Sequence, residues 1–197
     1  MDPALLACAA NVHPATMAAV VRVESGGNPL ALNVNRWRGP QPRPATAAEA
    51  AAEARRFIAA GFTVDMGAAQ VNDRNLAALG YTVEQMFDPC TNIAAGGRIL
   101  SDGYTRAVAA HGEGQPALLA ALSAYNTGSL TRGFGNGYVA RYLNGRPVSV
   151  PAPVDAPRAT AALARATRAA KVPPPLNPYA ADTAVFIRET SHVAAVD

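Results

Sequence analysis

Apolar positions in the first part of the chain recur at a spacing that favours helices over strands. One helical face holds Met17, Val20 and Val21. A proline precedes this run and two glycines follow it, which are signals for the start and the end of a helix. The pattern predicts a helix over 14–24 that carries Glu24 at the end of its apolar stripe.

Comparable signals predict the other helices. Asp2 before Pro3 is typical of an N-cap followed by the first helical residue. Thr46 with Glu49 is a capping box, in which the side chain of each residue accepts a hydrogen bond from the backbone N–H of the other. The further predicted helices are a short one from Pro3, one from Thr46 closed by Gly61, one over 73–79, one beginning at Thr82, and ones over 88–110, 116–126 and 136–143.

One short segment favours a strand. Residues 62–66, "FTVDM", are brief and partly β-branched, so they predict a small strand or hairpin. With 197 residues, of which 50% are hydrophobic, the chain can bury one sizeable core. The predicted fold class is mainly α within an α+β architecture, with a helical core and a small hairpin or loop region beside a cleft.

The composition changes after Arg146. Stretches such as "RPVSVPAPVDAPRA" hold much proline and alanine and few large apolar residues, so they bury too little surface to offset the entropy of ordering. We predict a folded domain over 1–145 and an extended tail over 146–197. Within the tail, "ATAALARATRAA" can form a transient helix.

Charge and spacing exclude several classes of protein. The net charge is +3, but the basic residues are scattered and no nucleic-acid-reading motif occurs, so no nucleic-acid partner is expected. No apolar run reaches the roughly 18 residues of a membrane span, and the histidines show no metal-ligand spacing. "MDPALLACAA" lacks the basic region of a secretory signal, so an exported protein would carry its signal outside this sequence.

Glu24 is the first candidate for chemistry. Burial at the end of an apolar stripe disfavours a charged carboxylate and holds the proton on the acid near neutral pH. Tyr125 ends a similar stripe formed by Leu118 and Leu122. Its hydroxyl needs a partner, and a buried carboxylate is one candidate, although a core tyrosine with a satisfied hydroxyl fits the same pattern.

Four stretches together carry a family resemblance: "ESGGNP" at 24–29, "MGAAQVN" at 66–72, "SAYNTGS" at 123–129 and "RGFGNGYV" at 132–139. In this order, with "FDPCTNI" between the second and third, they resemble the family-1 lytic transglycosylases, which have a lysozyme-like fold. The similarity is particular to the specialised wall-remodelling transglycosylases of type IV secretion systems. It covers residues 8 to about 143.

The resemblance implies cleavage of the β-1,4 bond between N-acetylmuramic acid and N-acetylglucosamine in peptidoglycan, with a 1,6-anhydromuramic product. Glu24 matches the family's single catalytic acid, and no cofactor or metal is implied. Ser25, Gln70, Asn72, Tyr125 and Asn126 match its substrate-binding positions. Without the resemblance, capping of local backbone groups is the more common role of such amides.

The resemblance also implies partners and a location. Peptidoglycan glycan strands are the expected substrate, secretion-system components are expected to bind the tail over 146–197, and the expected location is the periplasm. In that compartment a bridge between Cys8 and Cys90 is favoured over two small buried thiols. We therefore predict a disulfide that ties the first helix to the one beginning at 88.

Two other functions fit the same residues. A muramidase of this fold would use water, with Asp65 as a second carboxylate, although an exposed acid at a strand end is the alternative interpretation of that residue. A peptidoglycan-binding assembly module would have weak catalysis or none. Ala68 and Ala69 stand where the family has large apolar residues, which predicts a smaller wall under the substrate.

Overall fold

The computed structural model describes residues 2–145 together with residues 150 and 151. The α-helices are α1 (Pro3–Leu6), α2 (Pro14–Ser25), α3 (Ala47–Ala59), α4 (Leu76–Leu79), α5 (Pro89–His111), α6 (Gln115–Thr127) and α7 (Arg132–Gly135). The strands are β1 (Leu32–Val34), β2 (Val64–Met66) and β3 (Val71–Asn72), and 3₁₀ turns lie at Asp73–Asn75, Glu84–Phe87 and Val139–Leu143. Apart from residues 150 and 151, the predicted tail, with its transient helix, lies outside the described residues. The predicted mainly helical α+β fold is confirmed.

Local signals in the sequence begin and end the helices where expected. The Asp2 carboxylate accepts the Ala4 N–H at 2.9 Å at the start of α1. The Thr46 hydroxyl accepts the Glu49 N–H at 3.2 Å at the start of α3. Helix α2 ends at Gly26, whose φ of 65° places it in the left-handed conformation that glycine adopts without strain.

Two predicted helices are shorter or tighter than expected. Thr82 and Gln85 form a reciprocal capping box where the helix was predicted to begin, but the box opens a 3₁₀ turn over Glu84–Phe87. Pro89 follows at once and disfavours helical backbone at the residue before it, which ends the turn. The predicted helix over 136–143 is wrong, because Gly137 has a φ of 79° and only a 3₁₀ turn forms after it.

The strands form an antiparallel sheet in the order β1-β2-β3. The predicted strand in 62–66 is confirmed as β2, the central strand, and β1 is a strand that the sequence did not predict. In this register Asn33 lies opposite Asp65, which in turn lies opposite Asn72. The sheet therefore gathers polar side chains from all three strands.

Helix α5 lies at the centre of the packing and makes its largest contact with α6. The apolar stripe of α2, with Met17, Val20 and Val21, is almost fully buried against this core. The predicted Cys8–Cys90 disulfide is confirmed, and it joins the end of α1 to the first turn of α5. No helix in the described part of the chain has the length and apolar character needed to cross a membrane.

Candidate active site

Glu24 lies in the last turn of α2, at the edge of a cleft of about 730 Å³. Glu24 continues the helix whose apolar stripe is buried in the core, and the glycines after Ser25 turn the chain away from the helix. The side chain is half-buried. The structure thus places this acid where the sequence predicts it, between an apolar core and an open groove.

Two tyrosines form a hydrogen-bonded chain that ends on Glu24. The Tyr138 hydroxyl donates to the Glu24 carboxylate. The Tyr142 hydroxyl lies 2.6 Å from that of Tyr138, and both side chains are buried. Because the Tyr138 proton is directed at Glu24, Tyr142 is the donor to Tyr138. These hydrogen bonds fix one carboxylate oxygen of Glu24 and leave the other oxygen free to contact a ligand.

Burial dominates the electrostatics of Glu24 and raises its pKa from 4.5 to about 7. The hydrogen bond from Tyr138 and the nearby charge of Arg141 act in the opposite direction, because each stabilises the carboxylate. Burial also raises the pKa of Tyr138 and Tyr142, which keeps both hydroxyls protonated. A carboxyl group with a pKa near 7 can give up a proton and take one back at neutral pH.

Replacing Tyr138 with phenylalanine removes a hydrogen bond that stabilises the carboxylate. We expect the pKa of Glu24 to rise further, so the alkaline limb of the pH–activity profile moves upward by on the order of one unit. The measurement is kcat/KM for peptidoglycan as a function of pH. Tyr81→Phe is the matched control, since that ring lies outside the cleft against Arg98. An unshifted alkaline limb would contradict this role of Tyr138.

Asp65 faces the same cleft, in the middle of β2 rather than at an exposed strand end. Three asparagine side chains donate to its carboxylate: Asn33 at 3.1 Å, Asn35 at 2.9 Å and Asn72 at 2.6 Å. Asn33 lies on β1 between two buried residues and Asn35 directly follows the strand, and both side chains reach Asp65 on the same face. The cleft therefore holds a second carboxylate, oriented by three amides.

The loop between β2 and β3 is held from beneath by Asn92, a fully buried residue of α5. Its amide donates to the Met66 carbonyl at 2.8 Å and accepts the Ala69 N–H at 2.7 Å. Gln70 completes this loop with a left-handed φ of 50°, which is uncommon for a residue with a side chain. Its own amide donates to the carbonyls of Ala31 and Gly67. Gln70 lines the cleft while its NH₂ group fixes the loop.

The predicted substrate-binding residues do not all face the groove. Gln70, Asn72, Tyr125 and Asn126 line the cleft together with Glu24. Ser25 is absent from the lining, and its hydroxyl donates to the Ala68 carbonyl at 2.7 Å and accepts the Gly27 N–H. Contact of any of these residues with sugar stays a prediction.

The hydroxyl of Tyr125 has a different partner from the carboxylate considered in the sequence. It donates to the Ala69 carbonyl at 2.6 Å, whereas the tyrosine on Glu24 is Tyr138. Tyr138 stands in the glycine-rich stretch "RGFGNGYV" at 132–139. Its position two residues after Asn136 in "GNGYV" carries no signal that distinguishes packing from a bond to the acid.

Ala68 and Ala69 do not form a wall under the substrate. Both side chains are buried in the core. A methyl group added to Gly96 of α5 would lie 2.7 Å from the Ala69 Cβ and 2.9 Å from the Tyr125 hydroxyl oxygen. The small residues let the loop and α5 approach closely, so the interpretation of a smaller substrate wall is wrong.

The remaining charged residues of the cleft are arginines that the sequence did not single out. Arg36 follows β1, Arg74 lies in the 3₁₀ turn after β3, and Arg106 lies on α5. Scattered along the sequence, they carry no pattern that would indicate a common site. Within residues 2–145, no group of three or more metal-ligating acidic, histidine or cysteine side chains is arranged to hold a metal ion.

Comparison with known proteins gives a family match over the same region. Residues 5–141 match the family described as the transglycosylase SLT domain. The match includes every residue described above for the site except Tyr142, which is the next residue after it. No solved structure matches the chain.

Curated relatives match over a similar stretch. The type IV secretion system protein virB1 of Brucella abortus biovar 1 is 45% identical over 128 residues, which are 64% of this chain and 53% of the relative. Protein virB1 of Agrobacterium fabrum is 38% identical over 132 residues, or 67% of this chain and 53% of the relative. Protein virB1 of Rhizobium radiobacter is 34% identical over 151 residues, or 77% and 62%. The chain thus spans about half the length of the first two relatives.

Proposed function

The chain belongs to the transglycosylase SLT family, and from that premise we propose that it is a peptidoglycan lytic transglycosylase with Glu24 as its catalytic acid and base. The observation that supports this most is the carboxyl group of Glu24, which is half-buried beside a polar cleft and has a pKa near 7. The bond cleaved is the β-1,4 link between N-acetylmuramic acid and N-acetylglucosamine.

In the first step, Glu24 gives its proton to the glycosidic oxygen, and the bond from that oxygen to C1 of the muramic sugar breaks. The carbonyl oxygen of the muramic N-acetyl group stabilises the positive charge at C1, so the step does not require a second carboxylate. Tyr138 keeps the side chain of Glu24 in place throughout, because its hydroxyl donor is fixed by Tyr142.

In the second step, Glu24 is ionised and takes the proton from the C6 hydroxyl of the same sugar. The C6 oxygen then bonds to C1 and closes the 1,6-anhydro ring. Attack within one bound sugar benefits from a large effective concentration of the nucleophile. The proton returns to Glu24, and no water is consumed.

The other cleft residues have proposed roles in binding. Asn72, Tyr125 and Asn126 offer polar groups and a ring face to the sugar, and Gln70 offers its carbonyl oxygen, since its NH₂ group is engaged with the loop. Ser25 supports the site by joining the end of α2 to the loop that carries Gln70.

Hydrolysis is the second candidate function, and Asp65 is the observation that favours it. A carboxylate held by three amides in the same cleft can stabilise positive charge at C1 or act as a nucleophile, after which water completes the reaction. The product would then have a reducing end. The products of a muramidase and of a transglycosylase of this fold therefore differ in mass by one molecule of water.

The test is mass spectrometry of muropeptides released from purified sacculi by the protein. We expect muropeptides that end in the anhydro sugar, one water lighter than the hydrolysis products. Reducing ends would establish the muramidase instead. Binding to sacculi without released product would indicate an assembly module that lacks catalysis.

The relatives that carry the virB1 name support a place for this activity. We propose that the protein acts in the periplasm and opens the cell wall locally for the assembly of a type IV secretion system. The domain over 1–145 would carry the activity, and residues 146–197, which lie beyond the family match, would contact secretion-system components.

A further inference from the structure

Three arginine side chains line the cleft beside Glu24 without a partner in the described part of the protein. Arg36, Arg74 and Arg106 are exposed and come from three different elements. The two ion pairs of the described chain lie elsewhere, and no side-chain hydrogen bond within residues 2–145 engages these three guanidinium groups. Their positive charge therefore faces the groove.

Five other arginines of the described chain are held by the protein itself. Arg132 donates to the Thr127 carbonyl, Arg141 donates to the Val23 carbonyl, and Arg98 donates to the Leu79 carbonyl at 3.0 Å. Arg55 and Arg56 form ion pairs with Glu84 and Glu53. The arginines of the cleft thus differ from these five in having their hydrogen-bond donors free for a ligand.

The acidic residues of the cleft do not neutralise them. Glu24 is uncharged when it acts as the acid, and the Asp65 carboxylate already accepts three amide hydrogen bonds. Three positive charges then face one negative charge along the groove. A groove with this balance favours an anionic ligand.

The backbone at Arg36 is a second, independent sign of a binding role. Its φ of 62° lies in the left-handed region, which costs free energy in a residue with a long side chain. Asn35 holds this turn in place, since its N–H donates to the Thr63 carbonyl at 2.9 Å. Strained backbone of this kind is concentrated at sites that bind ligands.

We propose that Arg36, Arg74 and Arg106 form a carboxylate-binding subsite for the peptide stems of the substrate. This inference rests on the proposed function, because the carboxylates of an intact peptidoglycan strand lie on its peptide stems, whereas the lactyl carboxyl group of each stem-bearing muramic sugar is held in the amide bond to the stem. A guanidinium group presents paired N–H donors that match the two oxygens of a carboxylate. The protein would therefore select strands that still bear charged stems.

The experiment compares three glycan-strand substrates with the same sugar backbone. The first carries intact stems, and the second carries stems whose carboxylates have been converted to neutral methylamides. The third has been stripped of stems by an amidase, which leaves only the lactyl carboxylate on each muramic sugar. Binding is measured in Glu24→Gln protein and kcat/KM in protein with Glu24 intact, so that recognition and chemistry are read separately.

We expect the protein to favour intact stems over methylamide stems by about 10- to 50-fold in affinity and in kcat/KM, since each exposed ion pair contributes a few-fold. The preference should shrink as salt is raised from about 0.05 to 0.5 M, because salt screens exposed charges. Stripped strands should bind like the methylamide strands. Strong arginine-dependent binding of stripped strands would instead overturn the assignment to stems in favour of the lactyl carboxylate.

The variant removes all three charges: Arg36→Asn, Arg74→Gln and Arg106→Gln. Asparagine is chosen at 36 because it tolerates the left-handed backbone. We expect the preference between intact and methylamide stems to disappear. Arg38→Gln is the matched control, since this exposed arginine in the same loop does not line the cleft. It should retain the preference, and thermal unfolding should show that both variants are folded.

Two results would overturn the subsite. One is a protein that binds intact and methylamide stems equally. The other is a triple variant that weakens binding of both substrates by the same factor, which would place the arginines on the sugar. Failure of the proposed function has a different signature: the protein with Glu24 intact would bind strands and release no shortened product from any of them.

Discussion

We expect Glu24→Gln to lower the turnover of peptidoglycan by about 10²- to 10⁴-fold, because glutamine can neither give a proton to the leaving oxygen nor take one from the C6 hydroxyl. The side chains have nearly the same shape, and the Tyr138 hydroxyl can still donate to the amide oxygen of glutamine. Binding of glycan strands should therefore remain. The measurement is the rate of release of soluble muropeptides from sacculi, together with the amount of protein bound to them.

Glu113→Gln is the control for this variant. It is the same chemical change at an exposed position in the loop between α5 and α6, away from the cleft lining. Its activity should equal that of the unmodified protein. A Glu24→Gln protein that retained most of its turnover would show that another group supplies the proton, and Asp65 would then be the residue to replace.

The same substitution should change the dependence of stability on pH. The pKa of Glu24 is raised from 4.5 to about 7 on folding, so the folded state binds the proton more tightly than the unfolded state. The associated stability is fully present below about pH 4.5 and is lost as the pH rises to about 7. Glutamine does not ionise, so the variant should be the more stable protein above pH 7.

The expected gain is on the order of 1 to 3 kcal/mol at about pH 8. It should nearly vanish at about pH 4, where both proteins carry an uncharged side chain at this position. Chemical unfolding at the two pH values measures it. Equal stability of the two proteins at both values would show that burial does not raise the pKa of this carboxyl group.

Removing the disulfide should produce the largest loss of stability. Cys8 and Cys90 are 82 residues apart in sequence, and their bridge joins α1 to the first turn of α5. A loop this long contributes roughly 4 kcal/mol to the free energy of unfolding when its closure restricts the unfolded chain. Replacing both cysteines with serine should lower that free energy by about this amount.

The measurement is denaturant unfolding of the double variant and of the oxidised protein. Reduced protein with both cysteines present is the control, because it separates loss of the bond from the change of side chain. It should unfold at nearly the same denaturant concentration as the double variant. If the oxidised and reduced proteins were equally stable, the bridge would make no contribution to the fold.

Much of the helical framework can be predicted from short stretches of sequence. Capping by Asp2 and Thr46 and the stop at Gly26 act on residues within four positions, so neighbouring residues suffice to predict them. The spacing of Met17, Val20 and Val21 places Glu24 on the buried side of α2 for the same reason. Burial at this position is the main cause of the raised pKa of Glu24.

The immediate surroundings of Glu24 were decided by the tertiary structure. Tyr138 lies 114 residues further along the chain and reaches the carboxylate only through the turns after α7. Tyr125 has an equally suitable pattern, but the close approach of the 66–70 loop to α5 directs its hydroxyl to a backbone carbonyl. Local periodicity does not determine which of two tyrosines meets an acid.

The polar cluster around Asp65 depends on strand pairing in the same way. Alternation along β1 and the residue after it places Asn33 and Asn35 on one face, but only the register between β1 and β2 brings that face to Asp65. Thus the sequence by itself determined most of the helical framework and the position of Glu24 at the end of the buried stripe of α2. The tertiary structure decided the acid's hydrogen-bond donor, the second carboxylate's environment and the arginines of the groove, because these depend on packing between residues far apart in the chain.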